Sequence, residues 1–192
     1  MTPSNDPAEG GADAAVHSRE TTLRERMLHE HVITTAWRLN SLANFYSVPF
    51  FRALEQATGV SRAQYNILLC LAHFPGITAQ DIVAISSRPK NSISVAVGQL
   101  EESGLIVRRQ SRTDSRLIEL HLTDFGREAY AELTPLLEQR QSRMLDVLTP
   151  SERNRLDQLL LKVGLNIPAW EEPELPPSLK RFRSKGGRQT AN

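Results

Sequence analysis

Apolar residues recur along this chain with two different periods. Leu28, Val32, Thr35/Ala36, Leu39, Leu42/Ala43 and Tyr46 return every three or four positions, one apolar stripe on a helix of 3.6 residues per turn. Pro49 should end or kink that helix, and Thr58-Gly59 closes the element. Ser61-Arg62-Ala63-Gln64 has capping-box spacing for a next helix, whose centre over residues 67–72 is apolar on every side and so should be buried. After the Pro75-Gly76 turn, Thr78 can cap a short helix with Asp81 at its third position and Ile82, Val83 and Ile85 as its apolar contribution. Pro89 suits the first turn of another helix; here Ile93, Ala96/Val97 and Leu100 fall on one face, and Gly104 is its C-terminal stop.

The period then changes to two. Residues 106–110 and 117–122 read as strands, the second with Ile118, Leu120 and Leu122 on one face and Leu117, Glu119 and His121 on the other. Arg112-Thr113-Asp114-Ser115 supplies the turn formers between them. Helical spacing resumes at Thr123 with Ala129, Leu133, Leu136/Leu137, Met144 and Leu148, with Pro135 expected to bend the helix. A capping box with proline at the first position, Thr149-Pro150-Ser151-Glu152, starts a last helix carrying Leu156, Leu159/Leu160, Val163 and Ile167.

Two short helices, a glycine stop and a two-stranded hairpin with a charged turn are the element order of a winged helix-turn-helix. The expected fold is mainly α with a small β-hairpin wing and a flanking helical region. Its parts are a disordered segment over residues 1–20, helices over 21–60 and 123–167, the winged module over 61–122, and a Pro-rich then basic tail over 168–192. Residues 1–20 and the tail have no apolar periodicity and a composition typical of disorder.

Composition narrows the setting more than the function. The 192 residues are 40% hydrophobic with a net charge of +1, and no run approaches the roughly 18 apolar residues of a membrane span. The N-terminus has no signal pattern and a single cysteine, Cys70, can form no internal disulfide, so a cytoplasmic protein is expected. Cys70 lies in the apolar run and reads as a core residue, not as the exposed thiol that redox sensing needs. The charge distribution says more than the sum. Arg88, Lys90, Arg108, Arg109, Arg112 and Arg116 face only Glu101, Glu102 and Asp114 within one stretch, and a local basic face can follow phosphates.

With Ile93, Val97 and Leu100 turned inward, the opposite side of that helix holds Asn91, Ser94, Val95 and Gly98, flanked by Lys90, Ser92 and Gln99. Asn and Gln can pair with adenine, Ser is adaptable, Val95 can touch a thymine methyl, and a major groove about 12 Å wide admits one helix. The plainer alternative is the solvated face of a small bundle. In the hairpin turn, Asp114 between Arg112 and Arg116 can hold the loop by charge-assisted hydrogen bonds, leaving one arginine for a minor groove or a phosphate. As a bare surface ion pair it would stabilise by only ~0–1 kcal/mol.

Three segments together resemble the MarR (multiple antibiotic resistance) regulators. They are Leu100-Glu101-Glu102-Ser103-Gly104-Leu105-Ile106-Val107-Arg108-Arg109, Asp114-Ser115-Arg116, and Leu122-Thr123-Asp124-Phe125-Gly126. The resemblance implies a homodimer joined through its terminal helices, each winged helix meeting half of a palindromic operator in double-stranded DNA, and a repressor's role. It implies Asp114 and Arg116 as wing residues and Asn91, Ser92, Ser94, Val95 and Gln99 as the recognition surface; the basic stretch itself adds Arg88, Lys90 and Arg112 as candidate DNA contacts. Val95 and Gln99 stand where many relatives are basic, so base preference does not transfer. The alternative is a winged helix used for protein interaction or for non-specific DNA coating.

Members of that family are commonly released from DNA by a small effector, often an aromatic acid. Trp37, Arg38, Tyr46 and Tyr65 are candidates for its pocket, the alternative being core aromatics and a solvated arginine. No other cofactor is implied. His29 and His31 are two apart and do not share a helix face, and His17, His73 and His121 complete no metal motif. No nucleophile elbow, phosphate loop or zincin motif is present, and catalysis is not expected.

Overall fold

The structure, a computed structural model, describes residues 7–29, 34–170 and 174–182. The chain divides into two compact units, Met1–Met144 and Leu145–Asn192. Helices α1 (Pro7–His29), α2 (Thr34–Thr58), α3 (Arg62–His73), α4 (Ala79–Ser86) and α5 (Lys90–Glu102) precede the strands β1 (Ile106–Gln110) and β2 (Ile118–Leu122). Helix α6 (Asp124–Leu145) follows, and α7 (Pro150–Leu165) lies in the second unit.

The winged module is built on one apolar cluster. Ile67, Leu68 and Leu71 of α3, Ile82 of α4, Ile93, Ala96, Val97 and Leu100 of α5, and Ile106, Leu120 and Leu122 of the hairpin bury against each other. Burying one such aliphatic side chain stabilises by ~1.5–3 kcal/mol, whereas a helix cap contributes about 1 kcal/mol. The core therefore orients the helices and the caps only set where they start. All three expected capping boxes form, at Ser61/Gln64, Thr78/Asp81 and Thr149/Glu152. A second cluster of Phe51, Leu54, Val60, Tyr65 and Leu133 joins α2, α3 and α6, and Tyr130 packs against both clusters.

The strands pair antiparallel from Ile106↔Leu122 to Gln110↔Ile118. A third edge is added by residues 76–78: Leu120 N–H donates to the Ile77 carbonyl at 3.0 Å, Gly76 N–H to the Leu120 carbonyl at 3.0 Å, and Thr78 bridges Glu119. This edge is too short to show any period in the sequence.

One clasp fixes the hairpin to α6. After α5, Gly104 adopts φ +70°, and Leu105 N–H reaches back to the Leu100 carbonyl at 2.9 Å while Gly104 N–H bonds Glu101 O at 2.9 Å, a Schellman ending. Thr123 Oγ1 donates to the Gly104 carbonyl at 2.7 Å and accepts from Gly126 N–H at 3.0 Å. The first turn of α6 thereby approaches the Leu105 backbone so closely that a Cβ on Gly126 would stand 1.9 Å from the Leu105 oxygen. The Leu-Thr-x-x-Gly pattern is a packing requirement.

Several expectations are corrected. Residues 7–20 are helical, not disordered, and residues 1–6 lie outside the described residues. Proline at the first position and the alanines that follow favour a helix, but with no apolar stripe the periodicity misses it. The single helix expected to begin near residue 21 is instead two, α1 and α2, with residues 30–33 outside the described residues. Pro49 does not end α2. Proline leaves the carbonyl four residues earlier without its N–H partner, and here Arg140 of α6 donates to Phe45 O at 2.8 Å and to Tyr46 O at 2.5 Å. In the tail, Ile167–Ala169 and Pro177–Phe182 form 3-10 turns, where proline presets the backbone angle; residues 171–173 and 183–192 lie outside the described residues.

Two glycines separate packing from propensity. Gly126→Ala should destabilise the fold by roughly 1–3 kcal/mol or more through overpacking. Gly98→Ala, inside α5 with no atom within 4 Å of the new Cβ, should stabilise it by roughly 0.5–1 kcal/mol. Chemical denaturation of both variants checks the contrast, and equal effects would contradict the close approach.

Candidate nucleic-acid interface

Burial of Ile93, Ala96, Val97 and Leu100 fixes the rotation of α5 about its axis. Lys90, Asn91, Ser92, Ser94, Val95 and Gln99 are left exposed, Val95 at 60%. An exposed valine among serines and an asparagine is a surface that can meet both base edges and methyl groups. The turn into α5 passes through Ser87 at φ 51°, a left-handed conformation uncommon for serine, with its N–H bonded to Val83 O at 3.0 Å. Arg88 follows, half-buried, its pKa lowered by burial and then by the neighbouring charge of Arg62.

A groove of about 410 Å³ runs beside α5, lined by Asn91, Ser92, Val95, Ala96 and Gln99 together with Ser61 and Ala63 at the start of α3. The sequence offered no signal for the approach of Ser61 and Ala63, because it arises only when α3 and α5 pack.

The wing turn is held locally. Asp114 accepts three hydrogen bonds from Arg116: from the backbone N–H and Nε at 3.0 Å on Oδ1, and from Nη2 at 2.9 Å on Oδ2. These bonds, the side-chain ones first, hold the Asp114 carboxyl below its usual range and raise the Arg116 pKa. Arg116 itself stays 86% exposed by side chain. Gln110 donates to the Ser115 carbonyl at 2.8 Å, and Ser111 accepts from Thr113 N–H at 3.3 Å. The expectation that Asp114 sits between two guanidiniums is corrected: among the described residues Arg116 pairs with it and Arg112 does not. Glu119 is held below its usual range by hydrogen bonds from Ser111 and His121. At the other end of the hairpin, Arg108 Nε meets Glu101 at 2.7 Å, tying β1 to the end of α5. Lys90, Arg109 and Arg112 make no ion pair among the described residues, so free positive charge lies at the α5 start, on the strand and in the wing turn.

The four effector candidates do not converge. Tyr65 is 5% exposed in the second core cluster and stacks on Tyr130 at 6.1 Å, so it acts as a core aromatic. Arg38 donates to the Leu28 carbonyl at 2.8 Å and closes the end of α1. Trp37 is half-buried on α2. Tyr46 alone lines a cleft, of about 430 Å³ between α2 and α6, with Leu42, Phe45, Phe50, Arg140 and Arg143. Arg140 and Arg143 were not singled out from the sequence; the signal was Pro49, whose orphaned carbonyl needs a donor. Burial raises the Tyr46 pKa against the pull of Arg140. Cys70 is half-buried, its thiol pKa raised by burial, which makes it a packing residue. Among the described residues no group of three His, Cys, Asp or Glu could hold a metal ion, and none of their helices is long and apolar enough to cross a membrane.

Comparison with known proteins agrees with this geometry. The family model of the MarR family matches residues 58–117, from the end of α2 to the wing. A Thauera aromatica protein named for transcriptional regulation of the hcr operon is 32% identical over 114 residues, covering 59% of this chain and 69% of that protein. A MarR-family regulator of Silicibacter pomeroyi superposes with a TM-score of 0.65 at 24% identity, over 79% of this chain and 98% of that one. BpsR of Bordetella bronchiseptica, described for regulation of its DNA binding by 6-hydroxynicotinic acid, superposes with a TM-score of 0.60 at 21% identity, over 68% and 98%.

The wing makes a pH prediction. A carboxylate with a depressed folded-state pKa orders its loop at every pH above its unfolded value of about 3.9, and the order is lost as pH falls through the lower folded value. The Arg116 amide resonance should therefore hold steady from pH 8 down through the ordinary carboxylate range and shift only below it. Asp114→Ala should shift it at every pH, while a midpoint at or above the ordinary value in the unchanged protein would contradict the pairing.

Proposed function

The chain belongs to the MarR family of transcriptional regulators, and from that premise we propose that it is a cytoplasmic, effector-responsive repressor that grips a palindromic operator as a homodimer. It regulates transcription and is not an enzyme. The observation that carries the reading is the exposed Asn91–Ser94–Val95 face of α5, turned out by its buried opposite face, together with a wing whose exposed Arg116 is hydrogen-bonded to Asp114.

In this reading Asn91, Ser92, Ser94, Val95 and Gln99 meet base edges in a major groove. Lys90, Arg88 and Arg112 lie on phosphates, which position the protein without reading sequence. Arg116 enters the adjacent minor groove, where narrow A·T tracts draw a guanidinium. Its Asp114 partner lowers the entropy lost on binding by preorganising it.

Dimerisation rests on apolar surface that the monomer leaves uncovered. On α2, Leu39, Leu42, Phe45 and Val48 are exposed, Phe45 at 53%. In the second unit, α7 has no buried residue at all, and Leu161, Val163 and Leu165 are exposed. A short helix of this kind owes most of its stability to packing, and apolar surface on this scale marks an interface. A second copy supplies both.

The effector would be a small aromatic acid in the cleft between α2 and α6. Arg143 would receive its carboxylate, with the Tyr46, Phe45 and Phe50 rings as walls; the support is that cleft and the regulation of BpsR by a related acid. The two recognition helices must stand about 34 Å apart to enter one face of B-DNA. An effector that favours a dimer of different spacing lowers operator affinity by that differential alone.

Binding to DNA from upstream of the protein's own gene, with excess random competitor and a salt series, tests the reading. Tight, competitor-resistant binding is expected; binding abolished by random DNA would indicate coating, and none at any salt a protein partner. Arg116→Ala should weaken that binding with the dimer intact. Asn91→Ala should relax preference at one position of each half-site by ~1–3 kcal/mol, whereas a uniform loss would make it a phosphate contact. Leu161→Glu with Leu165→Glu should yield monomers in sedimentation velocity, and an unaltered dimer would place the interface elsewhere.

A further inference from the structure

A further cavity, of about 380 Å³, opens where the α2–α3 turn, the end of α5 and the first turns of α6 meet. Its size suits a small organic molecule. Its floor is apolar, made by Val60, Leu105 and Leu133, and Phe125 stands at its edge 60% exposed. No function yet described for the chain uses this place.

The polar groups around it can be accounted for one by one. Thr58 Oγ1 donates to Leu54 O and accepts from Val60 N–H, and Ser103 Oγ donates to Gln99 O, so both are satisfied within the fold. Gln64 is different. It is 7% exposed, lines the cavity, and its Oε1 is engaged by Ser61 N–H at 2.7 Å. That bond fixes which end of the amide is oxygen and leaves the NH₂ end with no acceptor among the described residues. A buried donor without an acceptor is destabilising, and the cavity is where an acceptor can come from.

Glu128 and Glu132 also line the cavity, one helical turn apart on α6. Neither makes an ion pair among the described residues. Like charges at this spacing repel, so a cation between them relieves the repulsion and draws field lines from both. The cavity thus combines an apolar body, the Phe125 ring at its rim on which a second ring can pack, two carboxylates without an ion pair among the described residues and one orphaned amide donor.

We propose that this cavity is a binding site for a small organic cation: an aryl-alkyl ammonium whose charge lies between Glu128 and Glu132, whose ring lies on Val60, Leu105 and Phe125, and whose acceptor atom receives the Gln64 amide. It is separate from the α2–α6 cleft and of opposite charge preference, because that cleft presents Arg143 where this one presents two glutamates. An occupant touches the residue that ends α5 and the turn of α6 that clasps the hairpin, so it braces the joint between the winged module and α6.

Isothermal titration of the full chain without DNA tests the site independently of any operator. The probe is 4-methoxyphenethylamine, which carries ring, ammonium and ether acceptor, and the control is 4-methoxyphenylacetate, of similar shape and opposite charge. The amine should bind with one site per chain and the acid at least tenfold more weakly. The Glu128→Gln/Glu132→Gln pair should raise the amine Kd at least tenfold, and Gln64→Glu, which keeps the capping acceptor and removes the donor, should abolish the advantage of the methoxy compound over phenethylamine. Unchanged thermal melting would show that these variants fold. Equal binding of amine and acid, an unaltered Kd in the double variant, or no amine binding up to millimolar concentration would each overturn the assignment.

Discussion

The surface proposed here to read DNA depends on the burial of one face of one short helix. Ile93, Ala96, Val97 and Leu100 are all nearly free of solvent, and each large one contributes on the scale of 2 kcal/mol. No surface interaction on α5 competes with that sum, so the helix cannot rotate, and Asn91, Ser94 and Val95 must face outward. The proposed recognition surface is a consequence of the core, with no special stabilisation of its own. The wing follows the same logic at smaller scale. Its strands are set by Leu120 and Leu122 in the core, and only the turn relies on polar chemistry, through the fork from Arg116 to Asp114.

Two backbone devices connect this module to the helices around it. Thr123 clasps the Gly104 carbonyl and caps α6 at once, which is why α6 comes so near Leu105 that only glycine fits at 126. Arg140 satisfies the Phe45 carbonyl that Pro49 orphans in α2 and also bonds the next carbonyl, of Tyr46, and so turns a helix-breaking residue into an attachment point for α6. Both devices couple the winged module, α2 and α6. That is a structural basis on which binding at one place can bias another, provided the ligand discriminates between arrangements of these parts.

Much of this was legible in the sequence, for stated reasons. The α5 face, the capping boxes and the Gly104 stop are local patterns, and strong periodicity reads them directly. Helix α1 was missed because its signal is propensity without amphipathicity. The continuation of α2 past Pro49 depends on Arg140, more than ninety positions away along the chain, and no local rule reaches that far. The strand edge at residues 76–78 is too short for a period. Tyr65 was weighed as a pocket residue because an aromatic's sequence context does not say whether its ring is covered; the packing of Phe51 and Tyr130 around it decides the matter. The apolar stripe of α2 was legible as a stripe, though part of it is exposed, since periodicity marks a face to be covered without naming what covers it.

Guanine-N7 methylation protection on the bound operator tests the central claim most directly, since it reports major-groove contact base by base. The account predicts two protected major-groove patches, related by a two-fold axis and separated by about ten base pairs or a multiple of it. Substitution at Asn91 should alter both patches equally. A single patch, or retardation of DNA with no major-groove protection, would contradict the placement of α5 as the reading helix of a symmetric dimer.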